Sequence, residues 1–448
     1  MDNRTEQIKK LTGDCISSST IPTQLYTEYN VKRGLRDING KGVLAGLTDI
    51  SEIRQNKIEN GVEVPADGEL FYRGINVKEI ITSNSPKNKF GFEEVTYLLL
   101  TGELPTVGQL NDFTALLASY HTLPKNFVRD VIMKSPSADM MNSMTRSVLA
   151  MFSYDADPNN TSPENVMRQC LQLIAQLPIF SVYTYKAHKF YNDGDSLVIH
   201  KPLPELSTAE NILHMLRPDS KYSVLEAQVL DSCLILHAEH GGGNNSTFTT
   251  HVVSSSGTDT YSAIAAALCS MKGPRHGGAN IKVMKMFEDM KSSINTDNDK
   301  ELYTYLSDIV DCNAFDRSGL IYGLGHAVYS ISDPRARILK VFVSELAKEK
   351  GLEKEFELYS RVEKMAPEVI AEKKRIYKGV SANVDFYSGF AYSMLDIPIE
   401  LYTPIFAVAR IAGWSAHRLE ELINAGKIIR PAYKSICTER EYIKIEDR

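Results

Sequence analysis

Two histidines of the 448-residue sequence lie in glycine-rich segments that could hold an imidazole ring at the edge of a cleft. His276 lies within Gly-Pro-Arg-His-Gly-Gly-Ala-Asn, and His326 follows Gly323-Leu-Gly325. Glycine lets the backbone approach a ligand closely, and histidine can exchange protons near neutral pH. A lone histidine is more often a core residue with its ring hydrogen-bonded. The glycines around these two rings are therefore what favours a catalytic role.

His237 and His240 lie one turn apart on a predicted helix, which raises the alternative of a zinc site. Their spacing differs from His-Glu-x-x-His, and no nearby cysteine or carboxylate clearly completes a ligand set. We therefore predict an enzyme without a metal ion. A zinc hydrolase built on this pair stays the alternative, and metal analysis would separate the two.

Two further turns carry charged residues that suit a reacting centre. Asp385 precedes Phe386, and an acid beside an aromatic ring is partly desolvated, which raises its pKa and makes it a better base. Taken alone, such an aspartate is more often a helix cap. Asp333-Pro334-Arg335 is typical of a helix start, where an arginine is poorly placed for the helix dipole. Binding of an anion explains an arginine at position 335 better than helix stability does.

Composition excludes several classes of protein. The net charge is −6 with mixed signs along the chain, which argues against a nucleic-acid or membrane-surface protein. Neither a P-loop nor a complete Gly-x-Gly-x-x-Gly is present, so phosphate and hydride transfer lose support. The six scattered cysteines predict reduced, mostly buried thiols. With no signal peptide or membrane-spanning run evident, we expect a cytoplasmic protein.

The apolar pattern predicts a mainly α fold. Residues 1 to about 75 are irregular, with strand-like fragments at Val43–Gly46 and Leu70–Tyr72, and the helical period begins near residue 90. Capping boxes are predicted at three helix starts, namely Thr106 with Gln109, Ser207 with Glu210, and Ser223 with Glu226. A helix from Leu225 to His240, buried on one side, ends at Gly241.

The length and the 43% hydrophobic content favour two domains with a cleft between them. His276 is predicted in a tight turn, between a helix ending at Gly273 and another starting near Ala279. The clearest change along the chain is a helical insertion at 278–392. We therefore predict a large domain from 1–277 and 393–448, and a small domain from 278–392.

The sequence resembles the citrate synthase family from about Val31 to Tyr433. The motifs that carry the resemblance follow in the family's order: Leu236–Gly241, Lys272–Asn280, Tyr322–Val328, Asp333–Arg335, Asn383–Gly389, Ala407–Arg410 and Ile429–Pro431. Ile281 and Ala327 depart from common family patterns, but neither change removes a catalytic group. The matched motifs favour the si-type enzymes.

The resemblance implies a mostly α-helical homodimer whose small domain closes over the cleft, with acetyl-CoA and oxaloacetate as substrates and no cofactor. It implies Asp385 as the base that takes a methyl proton, His276 as the hydrogen-bond donor to the thioester oxygen, and His326 as the acid at the oxaloacetate carbonyl. Four residues would hold oxaloacetate: His240, Arg335, Arg410 and Arg430, the last reaching into the partner subunit's site. The CoA phosphates would meet Arg36, Lys373, Lys374 and Arg375.

Two other functions remain open at this point. A 2-methylcitrate synthase would have nearly the same motifs, and the difference is room for one methyl group, worth about 1–3 kcal/mol in selectivity. A non-catalytic helical scaffold would have no physical need to keep His276, His326 and Asp385 together.

Overall fold

The computed structural model describes residues 3–37, 41–59, 61–84, 90–325, 329, 331–374, 379–424 and 426–448. His326 and Arg375, both singled out in the sequence, lie outside these residues. The chain divides into two units, Met1–Leu47 and Thr48–Arg448. The domain boundaries near residues 277 and 392 stay a prediction.

The first unit contains two helices, α1 (Asn3–Ser19) and α2 (Thr23–Glu28), followed by a single 3-10 turn at Arg33–Leu35. The prediction of an irregular segment missed α1, whose described side chains are all exposed. A helix without a buried face shows no apolar period, so no helical pattern marks this segment. The fragment Val43–Gly46, predicted to be strand-like, lies outside every strand and helix.

The second unit begins with a three-stranded antiparallel sheet, β1 (Ser51–Glu59), β2 (Val62–Tyr72) and β3 (Ile75–Asn76). Ser51 pairs with Tyr72, so the predicted strand at Leu70–Tyr72 is confirmed. The Tyr72 hydroxyl is fully buried and donates to the carbonyls of Ile235 (2.9 Å) and Glu239 (3.1 Å). The sheet therefore braces the segment in which His237 and His240 lie.

Helices make up most of the remaining chain, which confirms the predicted mainly α class. Their bounds in the described residues are α3 (Val77–Asn84), α4 (Phe92–Thr101), α5 (Val107–Ser119), α6 (Met140–Met151), α7 (Pro163–His188), α8 (Thr208–Leu216), α9 (Val224–His237), α10 (Asn245–Ser254), α11 (Thr260–Lys272), α12 (Ala279–Ser293), α13 (Asp299–Val310), α14 (Pro334–Lys350), α15 (Glu353–Lys374), α16 (Val384–Met394) and α17 (Tyr402–Ile423).

The predicted capping boxes are all present, at the starts of α5, α8 and α9. Each satisfies two backbone N–H groups that a helix start leaves open, which stabilises the helix by about 1 kcal/mol. The helix predicted from Leu225 to His240 ends three residues earlier, at His237. Its burial was also predicted wrongly: almost every residue from Glu226 to His237 is buried, because other helices cover both sides of α9.

Helix α17 lies at the centre of this unit and is buried from Tyr402 to Leu419. It packs against α4, α7, α9, α10 and α11. Three ionisable side chains, Arg410, His417 and Arg418, are completely buried on it together with Trp414. A buried charge is costly unless it is paired or hydrogen-bonded. Three such groups on one helix therefore indicate that their burial has a functional role.

The six cysteines are all unpaired, as predicted, but the prediction that most are buried was wrong. Only Cys170 and Cys233 are buried, whereas Cys15, Cys269, Cys312 and Cys437 are exposed. A helical apolar pattern around a cysteine does not fix which way its own side chain faces. In the described part of the chain, no helix has the length and apolarity needed to cross a membrane.

Candidate active site

Arg410 is the most unusual charged residue of the structure. Its side chain is fully buried, and its Nε donates to the carbonyl of His237 at 2.6 Å. The other two guanidinium nitrogens, Nη1 and Nη2, have no hydrogen-bond partner among the described residues. Burial lowers the pKa of Arg410 to about 10, against the opposing effect of Glu239. A buried guanidinium with two free donors is suited to bind a carboxylate ligand.

His240, which follows the end of α9, is buried with its ring edge-on to Tyr329 at 5.6 Å between centroids. His237 is also buried, and its Nδ1 pairs with the carbonyl of Cys233 at 2.8 Å. Burial lowers the pKa of His237 to about 3, so its ring is neutral. In the described residues neither histidine belongs to a cluster with the spacing of metal ligands. This geometry does not favour the zinc alternative.

Arg335 is buried in the first turn of α14, where Asp333 caps the helix as predicted. The Asp333 carboxylate also accepts two hydrogen bonds from the guanidinium, from Nε at 3.0 Å and from Nη2 at 2.7 Å. This pairing raises the pKa of Arg335 despite its burial. Asp333 further accepts from the backbone N–H of Val384 at 3.3 Å, so it joins α14 to the start of α16.

Asp385 lies in the first turn of α16 but is not its cap. The cap is Asn383, whose side chain accepts from the Asp385 N–H at 3.0 Å. Burial raises the pKa of Asp385 to about 6, while Arg335 and Arg410 act to lower it. The predicted direction of the pKa shift is confirmed, although the Phe386 ring packs against Phe287 and Tyr359. The half-buried carboxyl is therefore poised to take a proton near neutral pH.

The glycine segment before His326 is attached to the segment before Asp385. Asn383 N–H donates to the Gly323 carbonyl at 2.9 Å, and Gly325 N–H donates to the Ser381 carbonyl at 2.8 Å. Gly323 has a φ of +79°, and a Cβ there would be 2.8 Å from a Val283 methyl group. This glycine is therefore required for packing, whereas the sequence suggested approach to a ligand.

His276 lies in the turn between α11 and α12, as predicted. Its Nε2 is 2.9 Å from the hydroxyl oxygen of Ser246, which also accepts a hydrogen bond from Trp414 Nε1 at 3.2 Å. Burial lowers the pKa of His276 to about 4, and the positive charge of Arg410 adds to this effect. The ring is therefore neutral at physiological pH, as a hydrogen-bond donor to a developing oxyanion should be.

Arg410 acts electrostatically on His276, Asp385 and Arg335, so these four groups share one region. Three other predicted residues of the second unit, Arg430, Lys373 and Lys374, are not among these groups. Arg430 is exposed in the segment after α17. Lys373 pairs with Asp311 at 2.6 Å, and Lys374 donates to the Gly319 carbonyl at 2.6 Å. Arg36 is exposed in the first unit, where it forms an isolated bridge with Gly42.

Two residues of the site escaped the sequence reasoning. Glu239 is fully buried beside Arg410, and its negative charge lowers the free energy needed to bury that cation. Its position between two candidate histidines was a signal that could have been used. Ser246, by contrast, is thirty residues from His276 and meets it only because α10 packs on α11. No local pattern could have shown that contact.

Comparisons with known proteins find relatives along most of the chain. The family model described as "Citrate synthase, C-terminal domain" matches residues 35–432. A citrate synthase of Synechocystis sp. is 35% identical over 82% of this chain and 84% of its own. A 2-methylcitrate synthase of Corynebacterium glutamicum is 33% identical over 94% of this chain and 99% of its own.

A solved structure of citrate synthase from Thermoplasma acidophilum, described as a ternary complex with carboxymethyl coenzyme A and oxaloacetate, has a TM-score of 0.76. It is 26% identical, and the match covers 93% of this chain and 99% of that one. The matched family model spans most of the sequence and includes each catalytic residue proposed above. The chain belongs to the citrate synthase family and is an enzyme that transfers acyl groups.

Proposed function

We propose that this enzyme condenses acetyl-CoA with oxaloacetate and hydrolyses the citryl-CoA intermediate to citrate and CoA. The observation that carries the proposal is the buried Arg410 guanidinium, two of whose nitrogens have no partner among the described residues, in a region shared with a base of raised pKa and a neutral histidine. A dianionic keto acid supplies carboxylates for such donors. The ternary complex of the Thermoplasma relative contains oxaloacetate and a CoA analogue.

Oxaloacetate would lie against Arg410, Arg335 and His240. Arg410 offers both outer nitrogens, which suits a bidentate carboxylate. Two donors of Arg335 are already hydrogen-bonded to Asp333, so Arg335 would contribute a positive charge that is held in a fixed position. His240 would donate to an oxygen of the keto acid. The substrate would therefore bind the two Arg410 nitrogens that have no partner within the described part of the chain.

Proton removal from the thioester methyl group needs a base and charge stabilisation at the same time, because that carbon is a very weak acid. Asp385 would take the proton, and the electron pair of the C–H bond would form the enol double bond. His276 would donate a hydrogen bond to the thioester oxygen. In the tautomer that serves this role Nδ1 carries the proton, and the Ser246 hydroxyl, which donates to Asn244 Oδ1 at 2.9 Å in this structure, would turn its proton to Nε2.

The enol carbon would then attack the carbonyl of oxaloacetate, and His326 would give a proton to the new hydroxyl group. Water would cleave the thioester, with the CoA thiol leaving. His326 keeps this role as a prediction, since it lies outside the described residues. Closure of the predicted small domain, 278–392, over the cleft would exclude water until condensation is complete.

The CoA phosphates remain assigned to Arg36, Lys373, Lys374 and Arg375. Lys373 and Lys374 would have to leave Asp311 and the Gly319 carbonyl to reach a phosphate. An exposed ion pair contributes only about 0–1 kcal/mol, so loss of the Lys373–Asp311 pair is inexpensive. We expect neither a metal ion nor an organic prosthetic group to take part in the reaction.

A homodimer is the expected assembly. The segment after α17 carries exposed apolar side chains, including Tyr433 at 95% and Tyr442 at 82% exposure, which would be unfavourable in water. Arg430 lies in the same segment and would enter the partner subunit's site. We propose a cytoplasmic location, because six unpaired cysteines suit a reducing compartment.

The test is release of free thiol with acetyl-CoA and propionyl-CoA, side by side, with and without oxaloacetate. We expect release only when oxaloacetate is present, with the higher kcat/KM for acetyl-CoA. A preference for propionyl-CoA would assign the enzyme to the 2-methylcitrate reaction, as in the Corynebacterium relative. Thiol release independent of oxaloacetate would contradict condensation altogether.

A further inference from the structure

A second cluster of ionisable side chains lies next to Glu239, on the helices α10 and α17. His417 Nε2 is 3.0 Å from Glu239 Oε1, and its Nδ1 is 3.0 Å from His251 Nε2. His251 Nδ1 in turn is 2.7 Å from Glu421 Oε2. Each ring therefore directs one nitrogen toward the other ring and its second nitrogen toward a carboxylate oxygen.

Counting protons shows that these contacts need an additional positive charge. Two neutral imidazoles carry two N–H groups, and the carboxylates of Glu239 and Glu421 each require one as a donor. His251 Nε2 and His417 Nδ1 then face each other as two lone pairs at 3.0 Å, which is repulsive. Either one extra proton or a cation must lie between them.

The third side chain of the cluster, Glu420, favours the cation. Its Oε2 is buried, 3.7 Å from His417 Nδ1, and accepts no hydrogen bond from any described residue. Its other oxygen, Oε1, accepts from the backbone N–H of Asp49 at 2.8 Å, which fixes the carboxylate. One ligand atom each from His251, His417 and Glu420 lies within 4.8 Å of the others. A single proton shared between the rings would leave Glu420 Oε2 3.7 Å from His417 Nδ1, beyond hydrogen-bond distance.

We propose that His251 Nε2, His417 Nδ1 and Glu420 Oε2 bind a divalent transition metal ion of the zinc class. Ligand atoms about 2.0–2.1 Å from a tetrahedral zinc ion are about 3.3 Å apart, and the distances of 3.0 and 3.7 Å bracket that value. A histidine ligand that donates its other N–H to a carboxylate is the usual arrangement around zinc, and both rings have it.

Charge and space support the same assignment. With neutral rings, Glu239, Glu420 and Glu421 leave three negative charges, which a dication offsets better than one proton. A Cβ on Gly242 would lie 3.7 Å from His251 Nε2 and 3.5 Å from His417 Cε1, so the glycine leaves room for a water as fourth ligand. The ion would fix α10 against α17 and hold Glu239 beside Arg410, without touching substrate.

The experiment uses the full-length protein, stripped with a chelator and titrated with Zn²⁺, and separately with Co²⁺, whose visible absorption reports four-coordinate geometry. His251→Gln and Glu420→Gln remove ligands, and Glu421→Gln removes an outer partner. His214→Gln is the matched control, because His214 and His200 form another close pair, with ring centroids 5.5 Å apart. Circular dichroism verifies that each variant is folded.

We expect one Zn²⁺ per chain in the wild-type protein and in His214→Gln, with a higher melting temperature when the ion is bound. Glu421→Gln should weaken Zn²⁺ by about 10–100-fold, and loss of either ligand should weaken it more. The proposal is overturned if the stripped wild-type protein binds no Zn²⁺ in this cluster, if a folded His251→Gln variant binds it equally well, or if only His214→Gln loses it.

Discussion

The substitution Asp385→Asn should slow condensation and at the same time stabilise the protein. A carboxylate that acts as general base contributes about 10²–10⁴-fold in rate, or about 3–5 kcal/mol in the barrier. Asparagine keeps the shape of the side chain but cannot take the proton. Because Asn383 is the cap of α16, the substitution leaves the capping contact unchanged. A lost cap therefore cannot explain a slow variant.

The stability effect follows from the pKa of Asp385, which burial raises from 3.8 to about 6. Because the folded-state pKa lies above the unfolded one, the folded state favours the protonated side chain. The stability of the fold with a protonated Asp385 is fully present below a pH of about 4, and it is lost as pH rises through about 6 and the buried side chain ionises. At pH 8 the ionised carboxylate then costs at most about 3 kcal/mol, at about 1.4 kcal/mol per pKa unit. Asparagine carries no such cost.

The assay compares thiol release and melting temperature from pH 4 to pH 8. Wild-type kcat/KM should fall below pH about 6, and this limb belongs to Asp385 because His276, with a pKa of about 4, stays neutral there. Asp385→Asn should melt above wild type at pH 8, and this gain should shrink toward pH 4. Asp396→Asn, two residues beyond the end of α16 with an 80% exposed side chain, is the matched control and should change neither quantity.

A near-normal rate for Asp385→Asn would refute the assignment of the base. A slow variant that melts below wild type at pH 8 would refute the reasoning about burial, since the loss of rate could then come from disturbed packing. Stabilisation by oxaloacetate should survive in the variant, because the proposed oxaloacetate contacts are elsewhere.

The remaining predictions concern substrate charge, orientation of the oxyanion donor, assembly and metal. Arg410→Leu should weaken oxaloacetate far more than acetyl-CoA, by roughly 2–5 kcal/mol; the KM values measure this, and Arg418→Leu, which removes another buried arginine of α17, should lower stability and spare both. Ser246→Ala should lower kcat with little change in oxaloacetate binding, whereas unchanged kcat would show that the His276 ring needs no such partner. A mixed dimer of Arg430→Leu and Asp385→Asn subunits should recover part of the activity that each variant lacks; no recovery would place both residues in one subunit's site. Thiol release should persist after exhaustive chelation, measured well below the melting temperature of the stripped protein, and loss that Zn²⁺ restores even in a folded His251→Gln variant, which lacks the proposed structural site, would contradict the metal-free mechanism.

Local features of the fold could be read from the sequence because their signals are local. The capping boxes of α8 and α9 and the turn that holds His276 each depend on residues within a few positions of each other. Helix α1 could not be predicted in this way, since its described side chains are exposed and the apolar period is absent. The end of α9 was misplaced because burial on all sides removes the contrast between its faces.

The candidate site was predictable in its residue types but not in its pairings. Arg335 was assigned to an anion on the basis of helix dipoles, yet its nearest anion is Asp333 of its own helix start. The contacts of His276 with Ser246 and of His251 with His417 join positions 30 and 166 residues apart. Such contacts depend on how helices pack, and a single sequence does not encode them in any spacing.

Glu239 explains how the protein can keep Arg410 charged in a dry pocket. Without a counter-charge, full burial would favour the neutral guanidine or expel the side chain. Glu239 opposes that effect without a hydrogen bond to Arg410 Nη1 or Nη2, which have no partner among the described residues, and it is itself held by His417 and by the Ser51 hydroxyl at 3.0 Å each. The carboxylate therefore supports the cation without occupying the donors that the substrate needs. A direct Glu239–Arg410 fork would be more stable but would leave oxaloacetate nothing to bind, so the indirect pairing is what makes Arg410 available as a receptor.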